Sequence, residues 1–268
     1  MTDTKSWLAL AAGALIVSAA QAQTPEVTLS RIECGNGSND PRRFSDTYAY
    51  TETSKPFTFS CYLIRHGSDT MVWDTGYLPG SNPSATNKPL ADVLKQVNVA
   101  ADQVKFVGIS HFHADHTGQL AAFTGATLLI GKGDWDGINA NPPMGGANVA
   151  GFKEWIAEKR KVEPLTADKD VFGDGSVMVL RAPGHTPGHS MLLVRLKEKG
   201  AVVLVGDAAH FHENYQNEGV PGFNFDRAQT IASIQRIKGI EKNLRATVII
   251  QHDPRDIGKL PVFPEAAK

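Results

Sequence analysis

Ser110-His111-Phe112-His113-Ala114-Asp115-His116 gathers three imidazoles and a carboxylate within six residues. The run Phe106 to Ile109 just before it is apolar and reads as a short buried strand. In extended backbone, residues two apart point to the same side, so His111 and His113 can face one metal ion. Asp115 and His116 come where the chain turns and can face a second. Imidazole with carboxylate suits zinc and similar divalent ions. A lone histidine is usually a surface or satisfied core residue. The clustering is what points to metal.

Three further candidates stand where a strand ends. His185 lies in Ala182-Pro183-Gly184-His185-Thr186-Pro187-Gly188-His189, after the apolar run Val177 to Leu180. Asp207 follows Val202 to Val205 through Gly206, and His252 follows Thr247 to Ile250. Proline and glycine hold the first of these turns in a fixed shape that orients its imidazole. Loops at strand ends are where rigid scaffolds present reactive groups.

The elements that must position these groups follow from periodicity. Val27 to Ile32 reads as a strand, and Cys34 to Lys55 as a loop rich in Gly, Asn, Asp, Ser and Thr. Phe57 to Ile64 and Met71 to Trp73 form a hairpin around His66-Gly67-Ser68-Asp69. Leu90, Val93 and Leu94 give Pro89 to Val97 a helical stripe. Leu120 to Phe123 begins a short helix, and Thr127 to Ile130 is a strand. Gly131 to Ala150 reads as a lid or pocket wall, and Phe152 to Lys161 as a helix. Val177 to Leu180, Met191 to Leu196 and Val202 to Val205 are strands. A helix starts at Asp226, with Gln229 completing a capping box and Ile231, Ile234 and Ile237 as its buried stripe. Thr247 to Ile250 is the last strand. Strands with a helix, twice over, fit two mixed halves packed as a sandwich with helices outside.

The chain has 268 residues, 41% hydrophobic and 21% charged, with a formal net charge of −1. That composition suits a soluble globular domain and offers no electrostatic pull on nucleic acid. Lys5, the apolar run Trp7 to Ala20 and Ala20-Gln21-Ala22 read as a signal peptide cleaved after Ala22. Residues 1–22 are then a leader and residues 23–268 one exported, periplasmic domain with no membrane insertion after cleavage. Cys34 and Cys61 can pair in an exported protein or sit as two small buried residues.

HxHxDH, then Pro-Gly-His, then Gly-Asp, then a late His resembles the signature of the metallo-β-lactamase superfamily. The resemblance implies an αββα sandwich with the site at one edge. It implies that His111, His113 and His185 hold one metal, that Asp115, His116 and His252 hold the other, and that Asp207 bridges them. A hydroxide between the metals would be the nucleophile. Zinc is the expected ion, and Fe, Mn or Co fit the same ligands. Asp74, in Trp73-Asp74-Thr75-Gly76, would support the histidine loop, and His189 would act beside the ligands rather than as one.

A bridging Asp207 speaks against the zinc β-lactamases. From about Phe57 to Glu265 the sequence resembles the N-acyl-homoserine lactonase family. The match includes Cys61-Tyr62-Leu63, Glu213-Asn214-Tyr215, Val220 to Asp226, Gln251-His252-Asp253 and Val262 to Glu265. Cys61-Tyr62-Leu63 recurs in members without export signals, which favours an unpaired Cys61. The resemblance implies opening of a lactone ring, with a small-molecule lactone or ester as partner, and is compatible with a homodimer. Many members carry a Tyr three residues after the bridging Asp, whereas His210 stands here. His210 is expected to hold the substrate carbonyl, and Asp115 to pass the proton to the leaving alkoxide. Phe112, Trp135, Met144, Phe211 and Tyr215 are the candidates for an apolar substrate pocket. An organophosphate triesterase or aryl esterase is the alternative reading, because the same centre attacks phosphorus as well as carbon.

Overall fold

Met191, Leu192, Leu193 and Val194 are consecutive apolar residues that face two different cores: Met191 and Leu193 one, Leu192 and Val194 the other. Side chains on a strand alternate, so a strand apolar on both faces must be covered on both. That requirement builds four layers. The computed structural model describes Met1 and residues 25–86 and 88–268. The leader read from the sequence lies, apart from Met1, outside the described residues.

The first sheet runs in chain order through β1 (Val27–Asn39), β2 (Lys55–His66), β3 (Asp69–Trp73), β4 (Phe106–Gly108), β5 (Thr127–Gly131) and β6 (Val162–Leu165). β1, β2 and β3 pair antiparallel, and β3 to β6 pair parallel. The second sheet contains β7 (Lys169–Asp170), β8 (Val177–Arg181), β9 (Ser190–Leu196), β10 (Gly200–Leu204) and β11 (Thr247–Ile249), in the order β11-β10-β9-β8-β7. Leu29, Ile64, Trp73 and Leu129 from one sheet meet Val179, Leu192, Val202 and Ile249 from the other to form the middle core.

Two outer cores seat the helices. α1 (Leu90–Lys95), α2 (Ala114–Thr117), α3 (Lys132–Asn139) and α4 (Val149–Ala157) go with the first sheet. There Leu94, Ile138, Phe152 and Trp155 pack with Leu63, Val107 and Leu128. α5 (His212–Asn217) and α6 (Arg227–Leu244) follow β10. Asp226 caps α6 by accepting from Gln229 N at 3.0 Å, and Gln229 Nε2 donates back at 2.7 Å. Ile234 and Ile237 are fully buried against β9, β10 and β11 residues, while Ile231 is half-buried.

Three local expectations need correction. β1 runs on to Asn39 instead of ending at Ile32, because β2 pairs along its whole length across a register shift between Glu33 and Gly35. Gly35 is needed there: its φ is 147°, and a Cβ would lie 2.1 Å from Ser84 O. Second, Cys34 and Cys61 form a disulfide, with Cα atoms 5.9 Å apart. The register shift brings Cys34 onto the same helix-side core as Cys61. Third, Gly131 to Ala150 contains α3 and the start of α4, and Gly133 and Gly137 in α3 hid its helical character. Among the described residues, no helix is long and apolar enough to cross a membrane.

Candidate metal centre

The ends of five strands converge at one edge of the sandwich. β4 leads through Ile109 and Ser110 to His111 and His113, and α2 carries Asp115 and His116. β8 leads to His185, β10 to Asp207 and β11 to His252, while β3 ends at Asp74. Gly206 is required between β10 and Asp207. Its φ is 56°, and a Cβ there would lie 2.7 Å from His189 Nε2.

The ligand-type atoms fall into two groups. In the first, His111 Nε2 is 2.8 Å from His113 Nδ1, which is 3.2 Å from His185 Nε2. Asp207 Oδ2 faces this group, 3.3 Å from His185 Nε2 and 3.6 Å from His111 Nε2. In the second, Asp115 Oδ2 lies 3.4 Å from His116 Nε2 and 3.6 Å from His252 Nε2. Asp207 Oδ1 faces these same imidazoles, at 2.9 Å from His252 Nε2 and 3.3 Å from His116 Nε2. One carboxylate thus presents an oxygen to each group.

Hydrogen bonds on the far side of the rings decide what these contacts mean. His252 Nδ1 donates to Thr58 O at 2.8 Å, and His116 Nδ1 faces Asp74 Oδ2 at 2.9 Å. In the neutral ring each Nε2 then carries a lone pair and points it at Asp207 Oδ1, another lone-pair atom. Asp207 Oδ1 is buried with no hydrogen-bond partner. In the first group three imidazole nitrogens also converge, although His185 Nδ1 has no partner on the far side of its ring. Neutral rings so arranged would repel without a cation between them, and the donor set fits a pair of divalent ions.

In the absence of a metal ion the two groups differ in their electrostatics. Burial, then the neighbouring positive charge of His116, pushes His111 well below the ordinary imidazole range. Burial likewise lowers His185 and His113, outweighing the carboxylates near them. Burial also opposes a charge on His116 and His252, but the surrounding carboxylates outweigh it and raise both. Burial alone would raise Asp207; the histidines around it, His252 and His210 foremost, hold it well below the usual carboxylate range.

Three buried residues fix the ligands. Asp74 accepts from Ser110 N at 2.6 Å, Ser110 Oγ at 3.0 Å and Gln251 Nε2 at 2.8 Å besides facing His116. His189 donates from Nδ1 to Ala182 O at 2.8 Å and accepts at Nε2 from Asp207 N at 2.9 Å, so both nitrogens are committed. Burial holds that ring neutral, with its pKa down at about 4. The third is Asp134, which the sequence reading missed. It accepts from Phe112 N at 3.1 Å, Thr186 Oγ1 at 2.8 Å and Gly188 N at 2.6 Å, and so ties the His111–His113 segment to the His185 turn. Burial pushes its carboxyl up to about 7 against the pull of these donors. Asp134→Asn puts an amide N–H against one of them. We expect a loss of about 1–3 kcal/mol of stability and ~10-fold weaker metal binding, measured by urea unfolding and metal titration. Wild-type values in both would remove the clamp role.

The family model of the metallo-beta-lactamase superfamily matches residues 56–252. The chain belongs to this superfamily. It is 31% identical over 179 residues to the N-acyl homoserine lactonase AttM of Rhizobium radiobacter, covering 65% of this chain and 67% of that one. It is 28% identical over 223 residues to the N-acyl homoserine lactonase AiiA of Bacillus thuringiensis subsp. kurstaki, covering 76% and 85%. For the AttM protein of Azorhizobium caulinodans the match spans 62% of the relative's length. A solved quorum-quenching N-acyl homoserine lactone hydrolase superposes with a TM-score of 0.78 at 25% identity, covering 91% of this chain and 99% of that one. The metallo-beta-lactamase fold is therefore established for this protein, and with it a site for two divalent metals.

In this superfamily member the mouth of the site is aromatic, but not through the residues expected. A cavity of about 180 Å³ over the centre is lined by Phe44, Phe57, Phe59, Tyr77 and Phe223, with Asn39 and Arg43 at its rim and His113, Asp115, Asp207 and His210 below. Phe57 stacks on His252 at 4.2 Å, and Phe44 packs on His210 at 4.5 Å. Phe112, Phe211 and Tyr215 do not line it. Phe112 is buried in the helix-side core beside Gly137, where Trp135 and Met144 also pack. Phe211 is fully buried behind Phe44 and Phe57. Tyr215 joins the α6 core and donates to Glu241 at 2.7 Å. Their apolar character suggested the last two, but at the start of α5 and within it their side chains go into packing. Phe57 and Phe59 were open to sequence reasoning, since they share one face of β2 at the end that meets His252.

Proposed function

We propose that the protein is a dinuclear metal-dependent lactonase that opens N-acyl homoserine lactones, exported to the periplasm and loaded with zinc. The observation that carries the metal reading is Asp207, with one oxygen toward each imidazole group. The lactonase relatives supply the substrate class. The Cys34–Cys61 disulfide supports an oxidising compartment.

Two divalent ions, when bound, supply an activated water and polarise the lactone carbonyl. The chain's own residues do the rest. The aromatic mouth takes the acyl chain and keeps bulk water out. Asp74, His189 and Asp134 hold the ligands still, so no reorganisation is needed during attack. Asp115, with 16% of its side chain exposed below the mouth, takes the proton of the attacking water and returns it to the leaving ring oxygen. His210 donates to the carbonyl oxygen as negative charge develops there. What supports that role is the ring's place in the wall of the mouth; its Nε2 lies 3.0 Å from Asp207 Oδ2, and its buried Nδ1 has no partner. Replacement of His210 by Phe is expected to lower kcat/KM by roughly 10²-fold with both metals retained. Unchanged kinetics would assign the carbonyl to another group.

The reading is tested by comparing rates of the metal-loaded protein on short- and long-chain acyl homoserine lactones, a simple γ-lactone, a phosphotriester and a β-lactam. Acyl lactones ahead by orders of magnitude support it. A faster phosphotriester would leave the centre standing and replace the substrate class.

A further inference from the structure

Among the described residues, Tyr77 brings the only hydroxyl to the wall of the mouth. The chain reaches it from β3 through Asp74-Thr75-Gly76, a turn with φ of 55° at Asp74 and 64° at Gly76. That turn is bonded to the segment carrying Asp115 and His116. Thr75 N donates to His116 O at 2.8 Å, Gly118 N to Gly76 O at 2.7 Å, and Gln119 Nε2 to Tyr77 O at 3.0 Å. Against the turn lies the disulfide: a Cβ on Gly76 would meet Cys34 Cβ at 2.7 Å and Cys61 Sγ at 3.2 Å. The Tyr77 ring packs edge to face with Phe59, their centroids 5.0 Å apart, and Phe59 packs in the same way on His252 at 5.3 Å. Backbone bonds and packing thus fix Tyr77 beside the second ligand group, that of Asp115, His116 and His252.

The hydroxyl itself is unused. Among the described residues it has no hydrogen-bond partner, although the residue is half-buried. Burial, then the negative charge of Asp115, raises its pKa above the ordinary phenol value, so the oxygen lies within that carboxylate's field without being bonded to it. A fixed ring that presents a free O–H to the mouth is arranged to donate to a group that enters. His210 stands by the first group instead, 3.0 Å from the Asp207 oxygen that faces His185. The two donors therefore suit different ends of a bound ester: His210 the carbonyl, and Tyr77 the oxygen that Asp115 reprotonates.

We propose that Tyr77 is a further catalytic residue, the donor to the leaving group. Its Oη–H hydrogen-bonds the ring oxygen of the lactone. As the acyl C–O bond breaks, the electron pair passes to that oxygen and the phenol stabilises the alkoxide. The proton held by Asp115 then completes the alcohol, and Tyr77 keeps its own proton throughout. This role rests on the lactonase reading.

The test compares Tyr77→Phe with the wild type, both metal-loaded, on N-hexanoyl homoserine lactone and on the matching thiolactone, whose ring sulfur is a weak acceptor. The variant should lose roughly 10²-fold in kcat on the lactone and almost nothing on the thiolactone. A second readout needs no turnover: calorimetric binding of N-hexanoyl homoserine and of N-hexanoyl-2-aminobutyrate, which lacks only the hydroxyl. The variant should bind the first about 10-fold more weakly and the second as the wild type does. Metal content should not change. Equal losses on both rings, unchanged affinity for the hydroxy acid, or lost metal would overturn the role and leave the lactonase reading standing. A wild type that opens neither ring would fell that reading and the role with it.

Discussion

Asp207→Ala is expected to empty both metal positions and abolish turnover together. Asp207 is the single side chain that meets both groups, at 3.3 Å from His185 on one side and 2.9 Å from His252 on the other. Its removal leaves five imidazoles converging with their one shared counter-charge gone. Loss of a single oxyanion donor commonly costs roughly 10²–10³-fold in rate, and loss of the whole centre should cost more. Elemental analysis of the purified variant, beside its rate on the preferred substrate, is the check. Two bound metals with full turnover would refute the bridging assignment.

Asp74→Asn is expected to weaken metal binding without altering any ligand. Asp74 is fully buried and has a φ of 55°, which Asn tolerates better than other residues, so the backbone should survive. The amide cannot accept from all of Ser110 N, Ser110 Oγ, Gln251 Nε2 and His116 Nδ1, because one of its two heads is itself a donor. Without a full carboxylate on Nδ1, His116 is freer to carry its proton on Nε2, the atom that faces Asp207 and Asp115. We expect metal affinity to fall about 10–100-fold and stability by about 2–4 kcal/mol. Competition with a chromogenic chelator and a urea midpoint measure the two. Wild-type affinity would show that His116 needs no such partner.

The contrast between these two residues and the mouth explains what the sequence made legible. His111, His113, Asp115 and His116 lie on one short segment, so their juxtaposition is a local property that spacing reveals. His185, Asp207 and His252 were legible because each follows an apolar strand, and strand ends of a sandwich meet at one edge. Asp134 was not, since its partners Phe112, Thr186 and Gly188 sit far off in the chain and the residue itself stands in a segment that glycine made look irregular. Phe44 and Phe223 belong to loops that only long-range packing brings over the centre. The strands and α6 were visible in apolar periodicity, whereas the true length of β1 depended on its partner strand rather than on its own glycine-rich sequence.

The ligands are shared between the two sheets, and that division has a mechanical side. His111 and His113 hang from β4 in one sheet, while His185, Asp207 and His252 hang from β8, β10 and β11 in the other. Elsewhere the sheets meet mainly through the apolar middle core, whose contact is non-directional and tolerates small slips. At this edge, ions seated among these groups would act as a clasp with fixed geometry. Stripping the metal should therefore unlatch the sandwich at one end, so that the mouth loses its shape along with its chemistry.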